Sequence, residues 1–171
     1  MVGFKFSKFV FVLGLSTVSY AFANPEIDNF ATVDEQAIYR GARPTMENME
    51  QLKEFGIKAI VTLDDNDEVV AAERKKANEL GIKHYSIPID SLKYPRDHQI
   101  NTVLQLLMES KNQPVFLHCK HGRDRTGLVI GLYRYYFQNW TRKMAYDEMI
   151  SLGFRPFMVP LKRYFLDKTK E

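Results

Sequence analysis

The stretch from Pro114 to Phe137 constrains the fold more than any other part of the chain. Val115-Phe116-Leu117-His118 is short, apolar and rich in β-formers, and Thr126 to Phe137 is apolar at helical length. Between them runs Cys119 to Arg125, dense in charge and broken by Gly122. A buried-type strand that feeds a buried-type helix through a polar loop is the unit of a layered α/β domain. Successive backbone N–H groups at such a junction converge on one point, and the helix dipole adds positive potential there. That geometry suits a tetrahedral oxyanion, and it also suits a thiolate, since cations and a helix N-terminus lower a cysteine pKa.

The flanking sequence repeats the alternation. Strands are expected at Gln36 to Tyr39, Lys58 to Leu63 and His84 to Ile89. Helices are expected from Met46 to Phe55, Glu68 to Leu80, Asp97 to Ser110 and Arg142 to Leu152, with a last one from Pro160. Thr45 reads as the N-cap of the first, with Asn48 not completing a capping box, and the acidic run Asp64 to Asp67 as a turn that caps the second. No internal repeat or linker interrupts the pattern. The expected fold is one α/β domain with a central, mostly parallel sheet flanked by helices.

Residues 1–23 stand apart from that domain. Lys5 and Lys8 precede an apolar run from Phe9 to Leu15, and Ala21-Phe22-Ala23 offers small residues on the near side of a cut before Asn24. Basic, apolar and small-residue regions in that order mark a signal peptide, and the apolar run is short for a membrane span. The expectation is an exported protein, periplasmic or secreted, of residues 24–171. Two of the 24 basic residues leave with the leader, so 22 face 21 acidic ones and the net charge falls to +1. With no basic tail, nucleic acid is not an expected partner. Cys119 is the only cysteine, so in a compartment that permits disulfides it has no internal partner.

Cys119, five residues, Arg125 and Thr126, preceded by His118, resemble the signature loop of the protein tyrosine phosphatase superfamily. The short chain is similar to its small dual-specificity branch. Tyr39-Arg40-Gly41-Ala42-Arg43-Pro44-Thr45 resembles the entry segment of bacterial and fungal atypical members, and Gly56 to Leu63 their second strand. The resemblance implies a phosphatase in which Cys119 is the nucleophile and Arg125 clamps the phosphoryl oxygens. Thr126 is expected to donate a hydrogen bond to the thiolate, and Asp90, 29 residues before Cys119, to act as general acid. Asp97 is the reserve acid, a residue otherwise read as capping its helix. No metal or cofactor is called for, because the arginine and loop dipoles neutralise the phosphoryl charge.

Lys120, His121 and Arg123 make the loop unusually basic, and with His118, Gly122 and Asp124 they form the expected binding set. So much rim charge suits a substrate with several phosphates, as in the family's members acting on inositol polyphosphates, including its exported bacterial phytases. Arg40, Arg43, Lys93, Arg96 and Arg155 are cations that can extend this basic surface. Asp124 is otherwise read as shaping the loop or pairing with an arginine. Two alternatives stand: a phosphotyrosine or dual-specificity protein phosphatase, and a non-catalytic phosphate-binding module. The oligomeric state is left open.

Overall fold

The computed structural model describes residues 24–170; the expected leader lies outside them. Five strands form one sheet: β1 (Ala31–Asp34), β2 (Ile38–Ala42), β3 (Ala59–Thr62), β4 (Lys83–Ser86) and β5 (Val115–Cys119). Their order across the sheet is β1-β2-β5-β3-β4, with only β1 antiparallel to its neighbour. Six helices surround it: α1 (Met46–Glu54), α2 (Asp67–Glu79), α3 (Asp97–Met108), α4 (Asp124–Phe137), α5 (Arg142–Ser151) and α6 (Val159–Lys168). The expected α/β domain with a mostly parallel sheet is therefore the one observed. No helix among the described residues is long and apolar enough to cross a membrane.

The two faces of the sheet are sorted by the period-two pleat of β5, the central strand, which is buried along its whole length. Val115, Leu117 and Cys119 point into the larger core with α3, α4, α5 and α6. Phe116 points the other way, onto Met49 and Leu52 of α1 and Ala77 of α2. From Asp124 to Tyr133 every residue of α4 is buried, which makes it the central helix of its layer. Because β5 lies between β2 and β3, the loops leaving the carboxyl ends of these strands open around one crevice, where ligands bind in sheets of this kind.

Three local features differ from the sequence reading. The chain forms an edge hairpin, β1 to β2, in which Gln36 sits in the turn at φ 61°, so the strand begins at Ile38 and reaches Ala42. Asn48 does complete a capping box, because its Oδ1 accepts the Thr45 N–H at 3.1 Å while its own N–H donates to Thr45 Oγ1. The ladder of β4 stops at Ser86, yet Ile87 N–H still donates to Thr62 O and Ile89 N–H to Leu63 O. That extension carries the next residue, Asp90, to the carboxyl end of the sheet.

Candidate active site

The loop between β5 and α4 holds a buried, free thiol at its base, with Cys119 3% exposed. Gly122 adopts φ +65°, a backbone state that L side chains rarely enter. A Cβ there would collide with the Gly41 carbonyl and come within 2.5 Å of Ala42 N. The loop thus lies directly on the end of β2. From inside β2 the guanidinium of Arg40, 1% exposed, donates through Nη2 to Gly122 O. Burial pulls the Arg40 pKa down to about 10, an effect partly offset by the Cys119 charge. Arg40 is therefore a support beneath the loop, and it does not extend the surface charge.

Arg125 is anchored from one side. Its Nη1 donates to Leu63 O at 3.1 Å, to Asp65 Oδ1 at 2.8 Å and to Ile89 O at 3.1 Å. Neither Nε nor Nη2 makes a hydrogen bond among the described residues, so the other edge of the fork can meet two oxygens of an anion. The Asp65 that holds it is itself positioned by a second pair, Arg43 and Asp64. Asp64 accepts from Arg43, through Nε at 2.8 Å and through Nη2, and its Oδ1 accepts the Asp65 N–H at 2.9 Å. Burial alone would raise the Asp64 pKa; the Arg43 bond and charge, aided by Arg125, bring it below the ordinary carboxylate range. Sequence reasoning missed both aspartates, which it read as a turn, and placed Arg43 on the surface.

Two residues of the expected binding set face elsewhere. His118 is fully buried on the opposite side of the sheet, its Nε2 3.0 Å from Glu73 Oε1, and it does not line the crevice. The same oxygen takes His84 Nε2 at 2.8 Å. Asp124 is turned inward too: its carboxylate accepts from Arg155 N at 2.9 Å, from Nε and from Nη2 at 2.7 Å, tying the loop to the segment before α6. This is the pairing role rather than substrate contact. It also fixes Arg155 beside the loop, with its guanidinium over the ring of Phe157 at 5.2 Å, a side chain 70% exposed.

Lys120 and His121 are exposed on the rim, and Arg123 is half-buried. Burial, then the charges of Arg123, Lys120 and Arg155, lowers the His121 pKa, so His121 adds charge only in more acidic solution. Thr126 is buried, and its hydroxyl has no hydrogen-bond partner among the described residues, the expected bond to Cys119 included. Asp90 is half-buried, with Oδ1 accepting the Leu92 N–H at 2.9 Å and Oδ2 3.0 Å from Lys93 Nζ. Those two contacts, in that order, hold its carboxyl below the usual range. Asp97, the reserve acid, is the first residue of α3 and not its cap; it accepts from Tyr164 at 2.9 Å and from Lys168 at 2.7 Å. With Asp97 bound to α6, Asp90 is the one of the two candidate acids that lies within reach of the Arg125 charge.

The Glu73 site yields a stability prediction. Burial opposes its charge, but the His118 and His84 contacts bring its pKa to about 2 from 4.5. A depressed acid stabilises the fold above the unfolded value, and the gain is lost as pH falls from about 4.5 through about 2. Glu73→Ala leaves two buried imidazoles without their acceptor and is expected to cost about 3 kcal/mol in urea unfolding at neutral pH.

A buried thiol on a loop that opens a helix, with an anchored arginine on the same loop, is an arrangement that can receive a phosphate-like anion. The Tyrosine phosphatase family model matches residues 26–166, and the chain belongs to that family. It is 28% identical over 117 residues to the dual specificity protein phosphatase TpbA of Pseudomonas aeruginosa, covering 68% of this chain and 51% of that protein. It is 32% identical over 132 residues to the inositol diphosphatase SIW14 of Saccharomyces cerevisiae, covering 74% of this chain and 46% of that protein. The chain thus spans about half the length of these curated relatives. The core catalytic domain of the same yeast protein, a PP-IP phosphatase solved with citrate, superposes with a TM-score of 0.74 at 27% identity over 84% of this chain and 86% of that one.

Proposed function

We propose that the chain is a cysteine-dependent phosphatase that hydrolyses phosphate monoesters, with inositol polyphosphates as its substrate class. The observation that carries the reading is the anchoring of Arg125, one edge held by three oxygens and the other open above the loop that bears Cys119. The substrate class is supported by the exposed cations Lys120 and His121 with Arg123 behind them, and by a relative named as an inositol diphosphatase.

In this mechanism the Cys119 thiolate attacks phosphorus, the S–P bond forms and the bond to the leaving oxygen breaks. Arg125 and the loop amides hold the equatorial oxygens, where charge is placed before the reaction begins. Protonated Asp90 gives its proton to the leaving oxygen. Its carboxylate then takes a proton from water, which attacks phosphorus and releases inorganic phosphate with the thiolate restored. Asp90→Asn is accordingly expected to lower kcat on an alkyl phosphate by about 10²–10⁴-fold. A smaller effect on a phenyl ester, whose leaving group needs less protonation, would accompany it.

A phosphotyrosine substrate is the second reading. The Phe157 ring held out beside the loop by Arg155 can stack on an aromatic substrate, and TpbA has been solved in complex with pTyr. Phosphate release from inositol hexakisphosphate and from a phosphotyrosine peptide, measured side by side, separates the two. Preference for the inositol compound supports the first reading, preference for the peptide the second, and release from neither leaves a phosphate-binding module. Export rests on the composition of residues 1–23 alone; N-terminal sequencing of the protein recovered from a bacterial periplasm tests it, with Asn24 as the expected first residue.

A further inference from the structure

Next to Arg125, through the Asp65 that accepts from it, lies a cleft of about 340 Å³ lined by Asp65, Pro88, Asp90, Lys93, Arg96 and Gln99, with Tyr94 and Pro95 completing it. Its wall is internally braced: Gln99 Nε2 donates to Pro88 O at 2.6 Å and its Oε1 accepts the Arg96 N–H at 3.0 Å. Tyr94 is held outward, its hydroxyl donating to Asp167 of α6 at 3.0 Å. Two cations line the cleft. Arg96 is exposed and has no carboxylate partner among the described residues. Lys93 has one, and it is the acid itself, Asp90 Oδ2 at 3.0 Å.

That pairing runs against the chemistry proposed for Asp90, because a general acid must carry a proton and an ammonium at 3.0 Å favours the carboxylate. The conflict disappears if Lys93 has a better partner during turnover. The other charges facing Asp90 do not supply one: Arg125 is a cation, and Asp65 is committed to Arg125 at 2.8 Å. Asp97 at the start of α3 is committed to Lys168. A dianionic phosphate carried by the leaving group would bond Lys93 and Arg96 more strongly than one carboxylate does.

We propose that this cleft is a second anion subsite, which takes a neighbouring phosphate of the substrate on Lys93 and Arg96 and thereby withdraws Lys93 from Asp90. This rests on the phosphatase reading and adds a selective step to it. Binding of the second phosphate and protonation of Asp90 favour each other, since the same lysine cannot neutralise both anions and the new negative charge stands beside the carboxyl. A polyphosphate arms its own acid. A monophosphate meets an Asp90 still paired with Lys93.

The test compares inositol hexakisphosphate with an inositol monophosphate, whose leaving oxygens are both ring alcohols, across pH, using the whole chain and its Lys93→Met and Arg96→Met variants. In Lys93→Met the ratio of kcat/KM for the hexakisphosphate over the monophosphate should fall about tenfold or more. The alkaline limb of the monophosphate profile should move to higher pH, because the lowered Asp90 pKa rises when the ammonium is removed. Arg96→Met should lower the same ratio without moving that limb. An unchanged ratio with an unchanged limb in Lys93→Met would overturn the subsite. Should the unaltered chain release phosphate from neither compound, the phosphatase reading fails by itself. The subsite is then judged by calorimetry of hexakisphosphate binding to Cys119→Ser, where equal affinity with and without Lys93→Met overturns it.

Discussion

Gly122→Ala is expected to lower kcat at least about a hundredfold, although it alters no charged or nucleophilic side chain. The loop reaches φ +65° at this position and rests on the backbone of Gly41 and Ala42, so a methyl group has no room on that side. Relief requires the loop to lift from β2, which breaks the Arg40 bond to Gly122 O and shifts every amide between Cys119 and Arg125. Displacements near 1 Å in a positioned site cost about 10²-fold in rate. The fold itself rests on β5 and α4, whose cores lie outside the loop. The measurement is therefore kcat alongside a thermal melt. A large loss of rate with a modest shift in Tm is the expected pair, and near-normal turnover would show that the loop has freedom the structure denies it.

Arg125→Lys should be nearly as damaging, about 10²–10³-fold in kcat, despite retaining the positive charge. A guanidinium can give Nη1 to Leu63 O, Asp65 and Ile89 O while Nε and Nη2 stay free for two phosphoryl oxygens. An ammonium is one donor centre and cannot face both ways. Drawn to Asp65, it leaves the anion; drawn to the anion, it leaves Asp65 unpaired and the Ile89 carbonyl without a donor among the described residues. The loss should appear chiefly in kcat, because the in-line geometry suffers more than the overall attraction for a polyanion. A rise in KM alone would place Arg125 in substrate capture instead.

The strand, loop and helix around Cys119 were legible in the residues because they depend on neighbours in sequence. Apolar Val115 to Leu117, the charged loop and apolar Thr126 to Phe137 dictate a strand, an anion-binding turn and a helix, and β5 and α4 are those elements. The edge hairpin was not legible, since β1 has four residues, Ala-Thr-Val-Asp, and no strong alternation. Arg40 escaped for a related reason. With the strand ended at Tyr39, a cation in the next position reads as loop, whereas the pleat of a longer β2 turns it under the catalytic loop. His118 shows the limit of a motif: it adjoins Cys119, but alternation sends the two side chains to opposite faces. Asp65 holds Arg125 across 60 residues of chain, and no local pattern in an acidic turn distinguishes the one carboxylate that reaches an arginine.

The central claim is that Cys119 carries the phosphoryl group during turnover. The most direct measurement is peptide mass spectrometry of the Asp90→Asn chain, quenched in denaturant within its first turnover of inositol hexakisphosphate, with Cys119→Ser treated in parallel. The expected result is one phosphoryl group on the peptide containing Cys119, and none anywhere in the serine variant. Phosphate found on another residue, or continued turnover by Cys119→Ser, would contradict the mechanism outright.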